Sequence, residues 1–190
     1  MMVNIKNCNK GNITDTCAVL NIFSSRLLSA RLKDAQFDFS ITRFVEYECL
    51  YRPSKTMTAK KRELQARIAD LKQKGKLLVH GLTIADLQDE VLVQHGTKFG
   101  IGELSCIAFC KKINQYFLTD DQGARKIGAI ALGIDRVQTT PQLLGWLFYH
   151  GYVSDGDLQS IVDEHNSFGR PLEKYFREIY QHALMLKSMG

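Results

Sequence analysis

Gly100-Ile101-Gly102-Glu103-Leu104-Ser105 and, a little further on, Thr119-Asp120-Asp121 are the stretches that decide the fold. Between them run an apolar segment, Leu104 to Ile113, with the length of a buried helix, and Gln115-Tyr116-Phe117-Leu118, which reads as a short buried strand. One carboxylate therefore opens a helix and two more close the strand that follows. In an open α/β sheet, ligands collect outside the carboxyl ends of the strands, so Glu103 and the Asp pair share that rim. Thr14-Asp15-Thr16 has the same strand-end look and adds a further carboxylate. Acids converging on one rim repel one another unless a cation neutralises them, which is the logic of a hard-metal site with oxygen ligands.

Outward from this centre, helical and strand patterns alternate. From Thr16, the spacing of Val19, Leu20, Ile22, Phe23, Leu27 and Leu28 predicts one amphipathic helix. Phe37 to Ile41 alternates as a strand, and Thr42 can cap a helix through Phe44, Val45 and Leu50 that stops at Pro53. Thr58 to Gly75 has a cap, good helix formers, a narrow apolar stripe (Leu64, Ile68, Leu71) and a terminal glycine. Leu77 to Leu82 is a strand candidate, and Ile84 to Val93 a helix with Leu87, Val91 and Leu92 turned inward. Past the central helix and the Tyr116–Leu118 strand, Gln122 to Leu132 reads as a helix and Val137 as a brief strand. Three helices follow, opened by Thr140-Pro141, Ser154 and Pro171. Strands alternating with helices imply a parallel sheet with right-handed crossovers.

Composition sets the compartment and excludes several classes. At 190 residues the chain allows one sizeable domain with a true core, and 45% apolar with 24% charged residues is ordinary for a globular protein. The net charge of +5 is local. Lys55 to Lys76 holds eight Lys/Arg against two acids, a surplus of six, so the rest of the chain sums to −1. Five cysteines without a CxxC argue against a disulfide framework, and Cys106 with Cys110 lacks the second pair of a zinc site. No apolar run approaches the roughly 18 residues of a membrane span. Met1 to Lys6 lacks the apolar core of a signal peptide, so the expected location is the cytoplasm, with reduced thiols.

Taken together, the strand-end acids in this order resemble a PIN-domain nuclease. The motifs carrying the likeness are Asp15-Thr16, Gly-Ile-Gly-Glu at 100–103 and Thr-Asp-Asp-Gln-Gly-Ala-Arg at 119–125. Thr139-Thr140-Pro141-Gln142-Leu143-Leu144 and Gly151-Tyr152-Val153 resemble a tail found in one branch of that family. The likeness covers most of the chain from Asp15 to about Leu172. It implies an α/β, PIN-like three-layer fold: a central parallel sheet flanked by helices, with extra C-terminal helices. On this reading residues 1–190 form a single PIN-like domain, 55–76 a basic helical insertion and 140–190 a C-terminal helical extension. The resemblance is also the main reason to read Asn12 to Asp15 as a strand.

It further implies about four carboxylates holding one or two magnesium or manganese ions. Asp15 matches the first acid and Glu103 the third. The fourth falls in Asp120-Asp121, with Asp121 favoured, and either of the pair could serve the metal. For the second acid Glu46 and Glu48 compete. Two apart on a helix they point about 200° from one another, so both cannot face one ion. The resemblance favours Glu48, because Val45-Glu46-Tyr47-Glu48 matches the family's apolar-x-x-acid spacing. The implied catalytic set is Asp15, Glu48, Glu103 and Asp121.

Each acid also has a bland explanation, because carboxylates near a first turn favour the helix dipole. Arg125 could pair with Asp121 at i,i+4 or contact phosphate. Thr119 is expected to position the site or cap the next helix. The Lys55–Lys76 segment would guide RNA to the cleft, with Lys60, Lys61, Arg67 and Lys74 exposed. It could equally be a solvated face, or make a homodimer contact through its apolar stripe. In a toxin–antitoxin pair, an antitoxin peptide would mask the acids. The competing function is a PIN-like domain that binds nucleic acid or a protein partner without cutting.

Overall fold

Strand β1 (Gly11–Thr14) lies at the centre of a five-stranded, all-parallel sheet in the computed structural model, which describes residues 4–53, 56–89, 93–94 and 99–189. The other strands are β2 (Asp38–Thr42), β3 (Leu77–His80), β4 (Tyr116–Leu118) and β5 (Val137–Gln138), in the order β3-β2-β1-β4-β5. Ile13 is in register with Ser40 on one side and Phe117 on the other. The chain moves outward from β1 through β2 to β3, then crosses back to β4 and on to β5. The strand order thus reverses between β1 and β4, where crevices open in such sheets. Asp15 N–H continues the ladder by donating to Leu118 C=O at 3.1 Å.

Helices α1 (Thr16–Ser24) and α2 (Arg26–Asp34) replace the single helix expected after β1. Ser25 breaks it: its backbone is extended, its hydroxyl oxygen accepts from Leu28 N–H at 2.9 Å, and its O–H donates to Glu164 at 2.5 Å. The apolar pattern runs through the break because both helices turn toward one core. Thr42 caps α3 (Arg43–Glu46), which passes directly into a π-helical turn at Tyr47–Tyr51.

Helix α4 (Ala59–Gln73) starts at the expected Thr58 cap and carries the chain from β2 to β3. The basic segment therefore lies in the crossover between the parallel strands β2 and β3. Leu64 and Ile68 are buried and Leu71 partly so, which consumes the apolar stripe within the chain. The first part of the helix expected over Ile84 to Val93 is a 3-10 turn at Ala85–Gln88, held by reciprocal bonds between Thr83 and Asp86; Val93 is helical, its N–H donating to Asp89 C=O at 2.9 Å, while Val91 and Leu92 lie outside the described residues. So does Lys55.

Further helices are α5 (Ile101–Ile113), α6 (Gln122–Leu132), α7 (Thr140–Tyr149), α8 (Asp155–Ser167) and α9 (Glu173–Ser188). Helices α7 and α9 pack on each other, while α7 and α8 rest on α1 and α2. Buried residues from Ile5 to Ala183 form one hydrophobic cluster, with Phe117 from the sheet and Phe176 from α9 both fully enclosed. The whole is a three-layer α/β arrangement with additional C-terminal helices. Among the described residues, no helix is long and apolar enough to cross a membrane.

Candidate active site

Asp15 follows β1 at the point where the strand order reverses, and it is fully buried. One carboxylate oxygen accepts from Ala18 N–H at 2.8 Å and caps α1; the other accepts from the Thr119 hydroxyl at 2.5 Å. Thr119 in turn accepts from Asp121 N–H at 3.1 Å, so its hydroxyl ties the first acid to the loop after β4. Asp121 caps α6 by accepting from Ala124 N–H at 2.7 Å, using Oδ1. Glu103, in the first turn of α5, reaches back to accept from the N-cap Gly100 N–H at 3.1 Å. Three helix N-termini therefore meet at the crevice, each with an acid at its cap or first turn. Their partial positive charges offset some of the repulsion among the carboxylates.

The offset is incomplete. Burial pushes Asp15 up to about 7, against the pull of the Ala18 and Thr119 bonds, and the charges of Asp120 and Glu103 push the same way. Glu103 is raised too, first by burial and then by Asp121 and Glu48, although its bond from Gly100 opposes this. Cys17 and Cys49 feel the same field. Burial pushes both thiols up to about 12, with Asp15 and Asp120 adding at Cys17 and Glu48 and Asp15 adding at Cys49. These coupled shifts identify Asp15, Glu48, Glu103, Asp120 and Asp121 as one electrostatic cluster.

Glu48 and Glu46 part company at the π-helical turn. Glu48 accepts from the Thr16 hydroxyl at the start of α1 and lies against the first turn of α5. A Cβ on Gly102 would stand 2.6 Å from Glu48 Oε2, so the second glycine of Gly-Ile-Gly-Glu is the space Glu48 occupies beside Glu103. Glu46 turns the other way, nearly buried, and pairs with Lys72 of α4. Only Glu48 faces the cluster.

Asp120 has a different job from its neighbour. Its oxygens accept from Thr140 N–H at 2.8 Å, the Thr140 hydroxyl at 2.6 Å and Asn21 Nδ2 at 2.7 Å. These bonds fasten the end of β4 to α1 and to the first turn of α7. Asp120 thus anchors the C-terminal helices, whereas Asp121 keeps Oδ2 without a hydrogen-bond partner among the described residues. Arg125 is exposed and does not make the i,i+4 pair with Asp121; its backbone N–H alone reaches that residue, at Asp121 C=O.

Of the four cations expected to be exposed and to guide RNA, three are engaged by neighbouring side chains of the chain itself. Arg67 is the clear correction. It lies across α1, its Nη1 donating to Phe23 C=O and Ser24 C=O at 3.1 Å while Nη2 pairs with Glu63 at 2.6 Å. Its guanidinium also lies 4.8 Å from the Phe168 ring centroid. The long side chain found the carbonyls that end α1 without helical partners and turned inward. Lys60 sits over the same ring at 4.6 Å, and Lys74 pairs with Asp70. Only Lys61 reaches a pocket shared with an acid of the cluster, Glu48. Sequence reasoning missed two other residues of that pocket, Arg52 and Arg170.

Among the described residues, no group of three or more His, Cys, Asp or Glu side chains stands as a formed metal-binding set. The donor chemistry nonetheless fits a hard divalent ion: four carboxylates from separate segments, a glycine in place of a side chain that would exclude Glu48, and a buried acid whose charge its own hydrogen bonds do not fully compensate. Compared with known proteins, the chain matches no family model, no curated protein and no solved structure.

Proposed function

We propose that the chain is a metal-dependent endoribonuclease of the PIN-domain type, with Asp15, Glu48, Glu103 and Asp121 as the functional carboxylates. One observation carries this reading: acids from four segments gather where the strand order reverses, around a fully buried Asp15 that burial, and after it the charges of Asp120 and Glu103, push up to about 7. Asp15, Glu103 and Asp121 would hold a magnesium or manganese ion, with Glu48 beside them. When bound, such an ion supplies charge neutralisation and an activated water for attack on a phosphodiester. The residues of the chain set the geometry. The Thr119 hydroxyl fixes Asp15, the α5 and α6 caps fix Glu103 and Asp121 through one oxygen each, and Gly102 leaves room for Glu48. Asp120 holds the frame through Thr140 and Asn21. Location in the cytoplasm, RNA as substrate and an antitoxin peptide over the acids belong to this proposal.

A PIN-like domain that binds without cutting is the second reading, favoured by the caps, which give Asp15, Glu103 and Asp121 a structural role with no ion. Incubating the full chain with labelled single-stranded RNA, with manganese or with chelator, separates the two. Cleavage that needs the ion and disappears in Glu103→Gln supports the nuclease. Binding without cleavage under every divalent ion selects the second reading.

A further inference from the structure

Beside Glu48 is a pocket of about 360 Å³, within the range of small-ligand sites. Its polar lining includes Arg52, Lys61, Arg170 and Gln65, so three cations share it with one carboxylate, Glu48. Leu20, Pro53, Met57 and Leu64 contribute apolar wall. Neither Arg52 nor Arg170 has an ion-pair partner among the described residues, unlike most of the cations on α4.

Local structure delivers both arginines. Arg52 ends the π-helical turn that also carries Glu48, its backbone N–H donating to Tyr47 C=O at 2.8 Å. Arg170 comes from the far end of the chain. Helix α8 stops with Gly169 at φ 66°, Gly169 N–H donates to Asn166 C=O, and Arg170 N–H donates to His165 C=O, both at 3.0 Å. This is the paired closure of a Schellman motif, and it fixes the residue after the glycine. Phe168, just before it, lies under Lys60 and Arg67 and clamps this turn to α4. The field of Arg170 reaches the cluster, since it opposes the acids at both Cys17 and Cys49.

Two guanidinium groups without ion-pair partners over an apolar wall, next to an acid of the crevice, match one nucleotide of a single strand: phosphate on the guanidinium groups, base against the wall. We propose that Arg52 and Arg170, with Lys61, form a nucleotide subsite flanking the scissile phosphodiester, so that the C-terminal helices supply part of the substrate-binding surface. The subsite rests on the nuclease reading, whose acids place the scissile group.

The test uses the full chain, short labelled single-stranded RNA, and the variants Arg52→Gln, Arg170→Gln, the double variant and Arg170→Lys. The Arg170 cap is made by backbone, so the side-chain change leaves it intact, and circular dichroism melting checks the fold. Binding is measured with chelator at several salt concentrations, and cleavage with manganese. For the double variant we expect Kd and KM to rise about tenfold with kcat little changed, and the salt slope to fall by about 0.7 for each phosphate no longer held. Arg170→Lys should recover much of the slope. If wild type cleaves and the double variant keeps its affinity and slope, the subsite is overturned and the nuclease stands. If wild type binds, never cleaves, and the double variant binds weakly, the subsite gains support and catalysis is lost. Wild type that neither binds nor cleaves overturns both.

Discussion

The acids and the cations of this chain are arranged by opposite routes. Asp15, Glu48, Glu103 and Asp121 are scattered over more than half the sequence, yet the parallel sheet brings them to one crevice. The Lys and Arg of α4 are contiguous, yet the fold disperses them: Arg67 onto the end of α1, Lys72 to Glu46, Lys74 to Asp70. A helix turns its residues through a full circle every 3.6 positions, so a charge run in sequence becomes a ring in space. A sheet edge does the reverse, gathering what connections of any length deliver to the strand ends. Charge density along the chain therefore says little about where charges gather in this fold, and strand-end position says much.

The sharpest way to break the contrast is at Asp15. Asp15→Asn keeps an acceptor for Ala18 N–H and can donate to Thr119 Oγ1, so it should fold. RNA cleavage should nevertheless fall at least about 100-fold. The same change removes a buried charge. Because burial raises the folded-state value from 3.8 to about 7, the proton's contribution to stability is fully present below pH 3.8 and lost as pH rises through about 7, up to about 4 kcal/mol in all. Chemical denaturation across that window, without divalent ions, should show wild type losing ground to Asp15→Asn as pH increases. Manganese at alkaline pH should narrow the gap by stabilising wild type alone. A variant that melts like wild type at every pH, or still cleaves, would remove the acids' claim to a shared field.

Arg67 breaks the contrast from the cationic side. Arg67→Met retains much of the packing over Phe168 and drops the bonds to Phe23 C=O and Ser24 C=O. Urea denaturation should show a loss of about 2–3 kcal/mol, since hydrogen bonds from charged groups are at the strong end of the range. The salt slope of RNA binding should stay put. A shifted slope with unchanged stability would return Arg67 to the surface role its sequence position implied.

The alternation of strands and helices, the caps at Thr42 and Thr58, and Pro141 in the first turn of α7 were all legible, because each is a local signal acting over a few residues. So was the split between Glu46 and Glu48, which follows from helix geometry. The break at Ser25 was not, since the apolar spacing continues on both sides and the cap is concealed in an ordinary Ser-Ser pair. Nor was the anchoring role of Asp120, which depends on Asn21 and Thr140 arriving from distant segments. Arg170 had a signal, the Phe168-Gly169-Arg170 helix ending, but nothing in the sequence places that ending beside Glu48. Local rules reveal elements; the partners of a side chain emerge only once the elements meet.

Gly102 refines the acidic half. Gly102→Ala adds a residue that helices favour by up to about 1 kcal/mol, yet its Cβ would stand 2.6 Å from Glu48 Oε2. Glu48 must then move away from Glu103. Cleavage should drop about tenfold, a modest displacement at a preorganised site, with melting temperature steady or slightly higher. An unaffected rate would mean that Glu48 contributes nothing from where it lies.

The smallest effect lies within α4. Lys61 lines the pocket beside Glu48, whereas Lys74 pairs with Asp70 at the other end of the helix. Both are exposed and carry the same charge, so a helix acting as a diffuse polyelectrolyte would make Lys61→Gln and Lys74→Gln equivalent. If position decides, the two separate. Lys61→Gln should weaken RNA binding about twofold to threefold and lower the salt slope by up to about 0.7, the share of one phosphate on a single strand. Lys74→Gln should leave affinity, slope and melting temperature where they were, as expected when a surface ion pair is removed. The difference is small because a single solvated ammonium is screened over about 10 Å at ordinary ionic strength, so the comparison has to be made at low salt, where the affinities diverge most. Equal losses from both variants would make α4 a non-specific collector of polyanions after all, and the run of cations in the sequence would then be the better guide to RNA than the pocket.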